Sequence, residues 1–422
     1  MRNHVPGLMI SLVSEQAMPN VMAPLLVDPR PARVLCLLPS VGSTAGGGRA
    51  YDIRFERAFQ GIRGVLTELG FIVESHRQAV DPYDVEAVTA TCRQIRVSLG
   101  SDVNVIYNIT GGTKLMSLGA YLAAREHRPA DPVIYVDSEN RRLIRFDSAG
   151  TVSWPFDENR LESVTPELYL RAYKITGRFE APDGDLDPHG DASRFIFGNP
   201  NALVLVKRLV SDLEHRVKTA WEIARSDFTE EEMATLRVLQ ANRAIASLEE
   251  RADAVVVRGR MAHFNYLSER WLTQHVHQIL SELKGEDGAP FFGHCRQQGD
   301  VNWFEGAARS TRNKRDRQID VCAIRGARIL LVECKSGDRQ INTVNIEKLQ
   351  VLAERCGRYA DTLLLTMDEG VLGRRQEEFR DHLRRAVLAG VAVGGREAIS
   401  SLTAIARDIP GYLAFMRARL EI

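Results

Sequence analysis

The chain's 422 residues are 44% hydrophobic and 26% charged, which suits two or three globular domains with substantial cores. Its 55 Lys and Arg balance 55 Asp and Glu, so a generally basic nucleic-acid coat is excluded and any polyanion affinity must come from local patches. No apolar run reaches membrane-spanning length, and Arg2 precedes only a short apolar run that soon meets Glu15 and Pro19. Neither export nor membrane insertion is expected, and the chain reads as cytoplasmic.

The first part alternates strands and helices. LMISLV, ARVLCLLP, GFIVESHR, VNVIYNIT and PVIYVDS have strand composition, with helices such as Arg54 to Leu69 and Lys114 to Arg125 between several of them. Such alternation predicts a doubly wound, mostly parallel sheet, whose ligands bind beyond the carboxyl ends of the strands. Two loops stand at that edge. SEQAMPN (Ser14 to Asn20) follows the first strand and offers hydroxyl, amide and backbone donors. Thr110-Gly111-Gly112-Thr113-Lys114 leads from a strand into a helix. Its glycines let the backbone approach a ligand, and its hydroxyls, its lysine and the helix N-terminus favour an anion. It has neither the spacing of a Walker A loop nor GxGxxG. GSTAGGGRA (Gly42 to Ala50) reads as surface loop, and APDGDLDP (Ala181 to Pro188) as a linker. Two charge-rich amphipathic helices, within LVLVKRLVSDLEHRVKTAW and FTEEEMATLRVLQANRAIASLEERA, follow as a connector.

HFNYLSERWLTQHVHQIL reads as a helix, with Phe264, Leu267, Trp271, Leu272, Val276 and Ile279 at helical spacing. RSTRNKRDR (Arg309 to Arg317) is a basic segment placed to meet a polyanion. Next come two short apolar runs, Ile319 to Ile324 and Ile329 to Cys334, which read as a hairpin. A two-residue Gly326-Ala327 loop with glycine first, as a type II′ turn prefers, sets Arg325 opposite Arg328 and therefore Asp320 opposite Glu333. Directly paired residues lie about 4.5–5.5 Å apart, and strand alternation puts Lys335 on the same face. Two such carboxylates repel unless one is protonated or a cation lies between them. With no His or Cys partner, these hard oxygen donors favour Mg²⁺ or Mn²⁺ over Zn²⁺. A buried ion triad of purely structural role is the alternative. Asn345 to Arg355 reads as a helix whose Lys348 and Gln350 could line the same cleft but are surface residues by default, and DTLLLTMDE reads as another core strand. The six cysteines, Cys36, Cys92, Cys295, Cys322, Cys334 and Cys356, lack CxxC spacing and read as reduced, buried thiols.

The order Asp320, twelve residues, Glu333-Cys334-Lys335 resembles the PD-(D/E)xK nuclease superfamily. Together with ISLVSEQAMPN and NITGGTKLMS, at about residues 9 to 20, 104 to 122 and 318 to 337, the chain resembles the CARF-domain nucleases of type III CRISPR systems. The resemblance implies a CARF sensor over residues 1–180, a linker and helical connector over 181–262 and a restriction-endonuclease-like α/β nuclease domain over 263–422. It implies a homodimer that binds cyclic tetra-adenylate through Ser11, Ser14, Glu15, Gln16, Thr110, Gly111, Gly112, Thr113 and Lys114. Binding would activate metal-dependent cleavage of DNA or RNA, with Asp320 and Glu333 holding metal and Lys335 assisting the attacking water. Relatives carry a further metal-binding acid on the preceding helix. This chain has Thr273 there, and Glu269, one turn earlier, is the candidate to replace it, a solvated glutamate on the helix surface being the other reading. Two other readings remain open: a ligand sensor whose nuclease domain no longer cuts, and a ligand-independent restriction-like endonuclease.

Overall fold

A computed structural model describes residues 7–41, 50–51, 53–100, 102–179, 190–214, 220–302, 318–336 and 341–422. Of the segments singled out in the sequence, Gly42 to Arg49, Ala181 to Pro188 and Arg309 to Arg317 lie outside the described residues.

The N-terminal part is built on a seven-stranded sheet. In chain order its strands are β1 (Leu8–Leu12), β2 (Arg33–Leu37), β5 (Ile72–Ser75), β6 (Val105–Asn108), β7 (Val133–Asp137), β8 (Arg142–Asp147) and β9 (Gly150–Pro155). Two short strands, β3 (Ser40–Val41) and β4 (Ala50–Tyr51), pair apart from it. The order is β5-β2-β1-β6-β7-β8-β9, parallel from β5 to β7, with an antiparallel β8–β9 hairpin at one edge. All five residues of β1 are buried, because helices cover both of its faces. The chain runs outward from β1 in both directions, so the order reverses between β1 and β6. That is the topological switch point, where open α/β sheets form their ligand crevice.

The C-terminal sheet has six strands: β10 (Thr176–Phe179), β14 (His294–Asn302), β15 (Gln318–Arg325), β16 (Arg328–Lys335), β17 (Ala360–Thr366) and β18 (Val391–Gly394). They lie side by side in the order β10-β14-β15-β16-β17-β18. The first four pair antiparallel and the last three parallel. Because β10 pairs with β14, a boundary at residue 180 falls after a strand of the second sheet.

Between the sheets the connector is less helical than its charge pattern predicts. Helix Pro200–Glu214 gives way to strand β11 (Ala220–Ala224), and helix Glu230–Ala241 is followed by β12 (Ser247–Glu250) and β13 (Ala254–Arg258), with sheet order β11-β13-β12. A Thr229–Glu232 capping box starts the second helix. It stops where Arg243 turns to φ +60° and the Ala244 N–H bonds back to Leu239.

The β15–β16 hairpin joins two cores. One face sends Cys322, Ile324, Ile329 and Leu331 into a cluster with Met22, Phe156, Tyr169 and Leu170 of the N-terminal domain. The other sends Val321, Ala323, Leu330 and Val332 against Trp271, Leu272 and Val276. The N-terminal domain thus packs directly on the hairpin. Among the described residues no helix is long and apolar enough to cross a membrane, and all six cysteines are free thiols.

Candidate functional site

At the switch point the loops after β1 and β6 are locked together by small polar side chains. Ser11, expected at the ligand edge, is instead fully buried: its hydroxyl donates to Asn20 Oδ1 (2.8 Å) and accepts from Asn108 Nδ2 (2.8 Å). Its place in the middle of a doubly covered strand explains this, and its contribution is to tie β1, β6 and the first helix together. Thr110 likewise bonds inward. Its backbone N–H and hydroxyl donate to Asn108 Oδ1 (3.1 and 2.6 Å), and its hydroxyl accepts from the Val136 N–H (2.8 Å). A Cβ on Gly111 would lie 1.9 Å from the Leu12 carbonyl oxygen, so only glycine lets the two loops meet this closely. Gly112 takes φ +73°.

Thr113 caps helix Lys114–His127 by accepting from the Met116 N–H (3.2 Å). Lys114, the first helical residue, is exposed. Rigid backbone donors, a positive helix end and a lysine therefore share one edge, which suits a phosphate diester. Across the crevice the Ser14 hydroxyl bonds the Gln16 carbonyl (3.2 Å) and Glu15 pairs with Arg54 at 3.0 Å. Gln16 turns elsewhere: its Oε1 accepts from the Arg358 N–H of the C-terminal domain (2.8 Å).

The second site lies at the far end of the hairpin. Its ladder runs from Arg325↔Arg328 to Val321↔Val332, and the next pair brings Asp320 opposite Glu333, the register expected from a Gly326-Ala327 turn. Gly326 supplies the required positive φ of +58°. Asp320 Oδ2 accepts from the Cys334 N–H (2.7 Å). Glu333, 2% exposed, places Oε1 2.6 Å from Lys335 Nζ and Oε2 2.7 Å from Lys348 Nζ. Lys348 is thus a correction to the sequence reading. Helix Thr343–Cys356 packs along the sheet and aims it into the cleft, its side chain only 13% exposed, whereas Gln350 bonds Glu354 on the outer surface.

Burial, and then the neighbouring Glu333 carboxylate, push the Asp320 carboxyl up to about 7, against the opposing pull of Lys335, the Cys334 N–H and Lys348. A carboxyl so displaced is one that a divalent cation would return to its ionised form. The donor set fits a hard ion such as Mg²⁺ or Mn²⁺, which keeps several waters and needs few protein ligands. Among the described residues no three His, Cys, Asp or Glu side chains converge as a metal cluster.

The preceding helix is interrupted: Met261–Asn265 is α, Tyr266–Arg270 is a π turn, and Trp271–Glu282 is α again. Thr273 is buried against Cys334, whose side chain alternates away from Glu333 and Lys335. The backbone before Glu269 also meets the end of the hairpin: the Ser268 carbonyl accepts from Ser336 Oγ (2.6 Å), one residue past Lys335. The side chain of Glu269 lies outside the described residues.

A family model for the Card1 CARF domain matches residues 71–153, which run from β5 through the TGGTK loop to β9. Over nearly the whole chain the fold is similar to protein VC1899 from Vibrio cholerae (TM-score 0.72, 15% identity, covering 96% of this chain and 98% of that one). It is also similar to Can2 from Sulfobacillus thermosulfidooxidans in complex with cyclic tetra-adenylate (TM-score 0.61, 16% identity, 96% and 97% covered). No curated protein matches the sequence. The family match places a Card1-type CARF segment at residues 71–153, within a mostly parallel Rossmann-like sheet whose strand order reverses between β1 and β6 and which leads into a C-terminal α/β domain.

Proposed function

We propose that the chain is a nuclease of type III CRISPR defence, switched on by cyclic tetra-adenylate and dependent on Mg²⁺ or Mn²⁺, that cleaves DNA or RNA as a homodimer. The observation that carries this reading is the meeting, on one hairpin face, of Asp320, Glu333 and Lys335 in a chain whose N-terminal sheet is a CARF domain. The fold-level likeness to Can2, a protein that binds cyclic tetra-adenylate, supports the choice of ligand.

In this reading Lys114 and the N–H groups of the Gly112–Lys114 turn receive phosphates of the ring. Leu115 and Leu118, 39% and 46% exposed beside Lys114, offer an apolar strip for a second copy, which would bring two such edges to one ring. At the hairpin, Asp320 and Glu333 hold the cation, with Glu269 as the candidate third acid. A bound divalent ion supplies Lewis-acid stabilisation of charge on the scissile phosphate and lowers the pKa of a water. Lys335 orients that water and neutralises charge developing on the phosphate oxygens. The hydrogen bond from Cys334 N–H keeps Asp320 aimed at the same point.

The test is a cleavage assay on supercoiled plasmid and single-stranded RNA with Mn²⁺ or with EDTA, in the presence of cyclic tetra-adenylate. The parent is expected to cut only with metal, and Asp320→Ala and Lys335→Ala to lose at least about a hundredfold in rate, the low end of what one positioned catalytic group contributes. Parent-like cutting by either variant would overturn the assignment. A second reading, a ligand sensor whose hairpin does not cut, is favoured by the two lysines that already occupy Glu333. It predicts ligand binding with no cleavage under any of these conditions.

A further inference from the structure

The geometry points to helix Thr343–Cys356 as the coupling element between the two sites: by joining Gln16 at one end to Glu333 at the other, it lets ligand at the sensor edge determine whether Lys348 or a divalent cation occupies Glu333. The inference rests on the function proposed above and goes beyond it by naming the switch.

The helix is anchored in both domains. Leu352 and Cys356, in its C-terminal half, belong to the core shared with the CARF domain, whereas Ile346 and Leu349 belong to the core of the C-terminal domain. Its C-terminal end abuts the ligand crevice. Tyr169 Oη donates to the Cys356 carbonyl (3.4 Å), and Gly357 follows at φ +86°, where a Cβ would come within 2.6 Å of Gln16 Oε1 and 2.8 Å of the Tyr173 ring. The Arg358 N–H then donates to Gln16 Oε1. The Arg358 guanidinium, 71% exposed and 3.8 Å from Glu139 just beyond β7, lies along the same carboxyl edge of the sheet. An anionic ring seated there would attract this turn as well as Lys114.

Lys348 stands eight residues before Cys356, about 12 Å along the helix. A packed helix moves as a rigid body, so a displacement of the Gly357–Arg358 turn reaches Lys348 with little loss. At Glu333 a lysine and a divalent cation compete for one oxygen, because Oε1 already meets Lys335 and Oε2 meets Lys348. In the arrangement described, Lys348 holds the place. Withdrawing it frees Oε2 for metal. Since coupling is reciprocal, metal must tighten ligand by the same factor that ligand tightens metal.

The test measures Mn²⁺ binding to the full chain by electron paramagnetic resonance of the free ion, and cyclic tetra-adenylate binding by calorimetry. In the parent, each is expected to tighten the other by roughly tenfold, within the usual range of allosteric coupling. Lys348→Met, and Lys348→Gln as a second variant should the first fail to fold, should bind Mn²⁺ tightly without cyclic tetra-adenylate and gain nothing further from it. Gln16→Leu, which cannot accept the Arg358 N–H, should stay at the weak Mn²⁺ affinity even when calorimetry reports bound cyclic tetra-adenylate, while Gln16→Glu keeps the coupling. Lys348 variants that bind Mn²⁺ no more tightly than the parent, or that still gain about tenfold with ligand, would overturn the inference. A parent that binds both partners without mutual effect overturns the coupling alone; one that binds neither overturns the proposed function and this inference with it.

Discussion

Asp320→Asn should make the protein more stable while abolishing catalysis, and the gain should depend on pH. Asp320 has its carboxyl pushed from the ordinary 3.8 to about 7 by burial and by Glu333. A folded-state pKa above the unfolded one means that the ionised acid opposes folding. The opposition is complete above the folded value and relaxes as pH falls toward the unfolded value. At about 1.4 kcal/mol per pKa unit, the raised Asp320 carboxyl costs the fold about 4 kcal/mol at pH 8, where it is ionised, and about 2 kcal/mol at pH 5, where folding must protonate it. Asparagine keeps a carbonyl oxygen for the Cys334 N–H and removes the charge. Urea unfolding without metal should therefore show Asp320→Asn ahead of the parent by a few kcal/mol at pH 8, with the lead roughly halved at pH 5. Mn²⁺ should stabilise the parent and leave the variant unchanged. A variant less stable than the parent at pH 8, or a lead that does not change with pH, would refute the reasoning about this pair.

Gly111→Ala places a methyl group 1.9 Å from the Leu12 carbonyl oxygen, a backbone atom at the end of β1 and not the tip of a flexible side chain. It should destabilise the CARF domain by about 2–3 kcal/mol and reduce cyclic tetra-adenylate affinity, as read by calorimetry. Tyr169→Phe leaves the Ala327 and Cys356 carbonyls without their shared buried donor and should lower stability by about 1–2 kcal/mol in urea titration. Lys114→Ala should weaken cyclic tetra-adenylate binding about tenfold at low salt and flatten its salt dependence, leaving the unfolding free energy of the free protein within about 0.5 kcal/mol of the parent.

The strands of the sensor sheet were legible because β1, β2, β6 and β7 are short, apolar and punctuated by polar turns. The hairpin register was legible for a stronger reason. A two-residue loop with glycine first leaves one ladder, and that ladder alone sets Asp320 opposite Glu333. What stayed hidden depends on tertiary contact. Lys348 looks like any lysine on an amphipathic helix, and only the packing of that helix across the sheet brings it to Glu333. Gln16 and Arg358 lie 342 residues apart, and nothing local marks either as a partner of the other. Ser11 shows the converse. Its position in the motif suggested the ligand edge, but a strand covered on both faces buries its hydroxyl against Asn20 and Asn108. In the connector, charge-rich amphipathic segments read as long helices, yet Ser247–Glu250 pairs as a strand with Ala254–Arg258, a choice made by the neighbouring strand and not by local propensity.

The most direct test of the central claim is the ratio of initial cleavage rates with and without cyclic tetra-adenylate, at fixed Mn²⁺, for the parent and for Lys114→Ala. The account predicts a large ratio for the parent, with negligible cutting in the absence of ligand. The ratio should fall sharply in Lys114→Ala at sub-saturating ligand and recover as ligand is raised. Cleavage that is equally fast without ligand and indifferent to Lys114 would contradict it, and would leave the hairpin a constitutive nuclease beside an unrelated CARF domain.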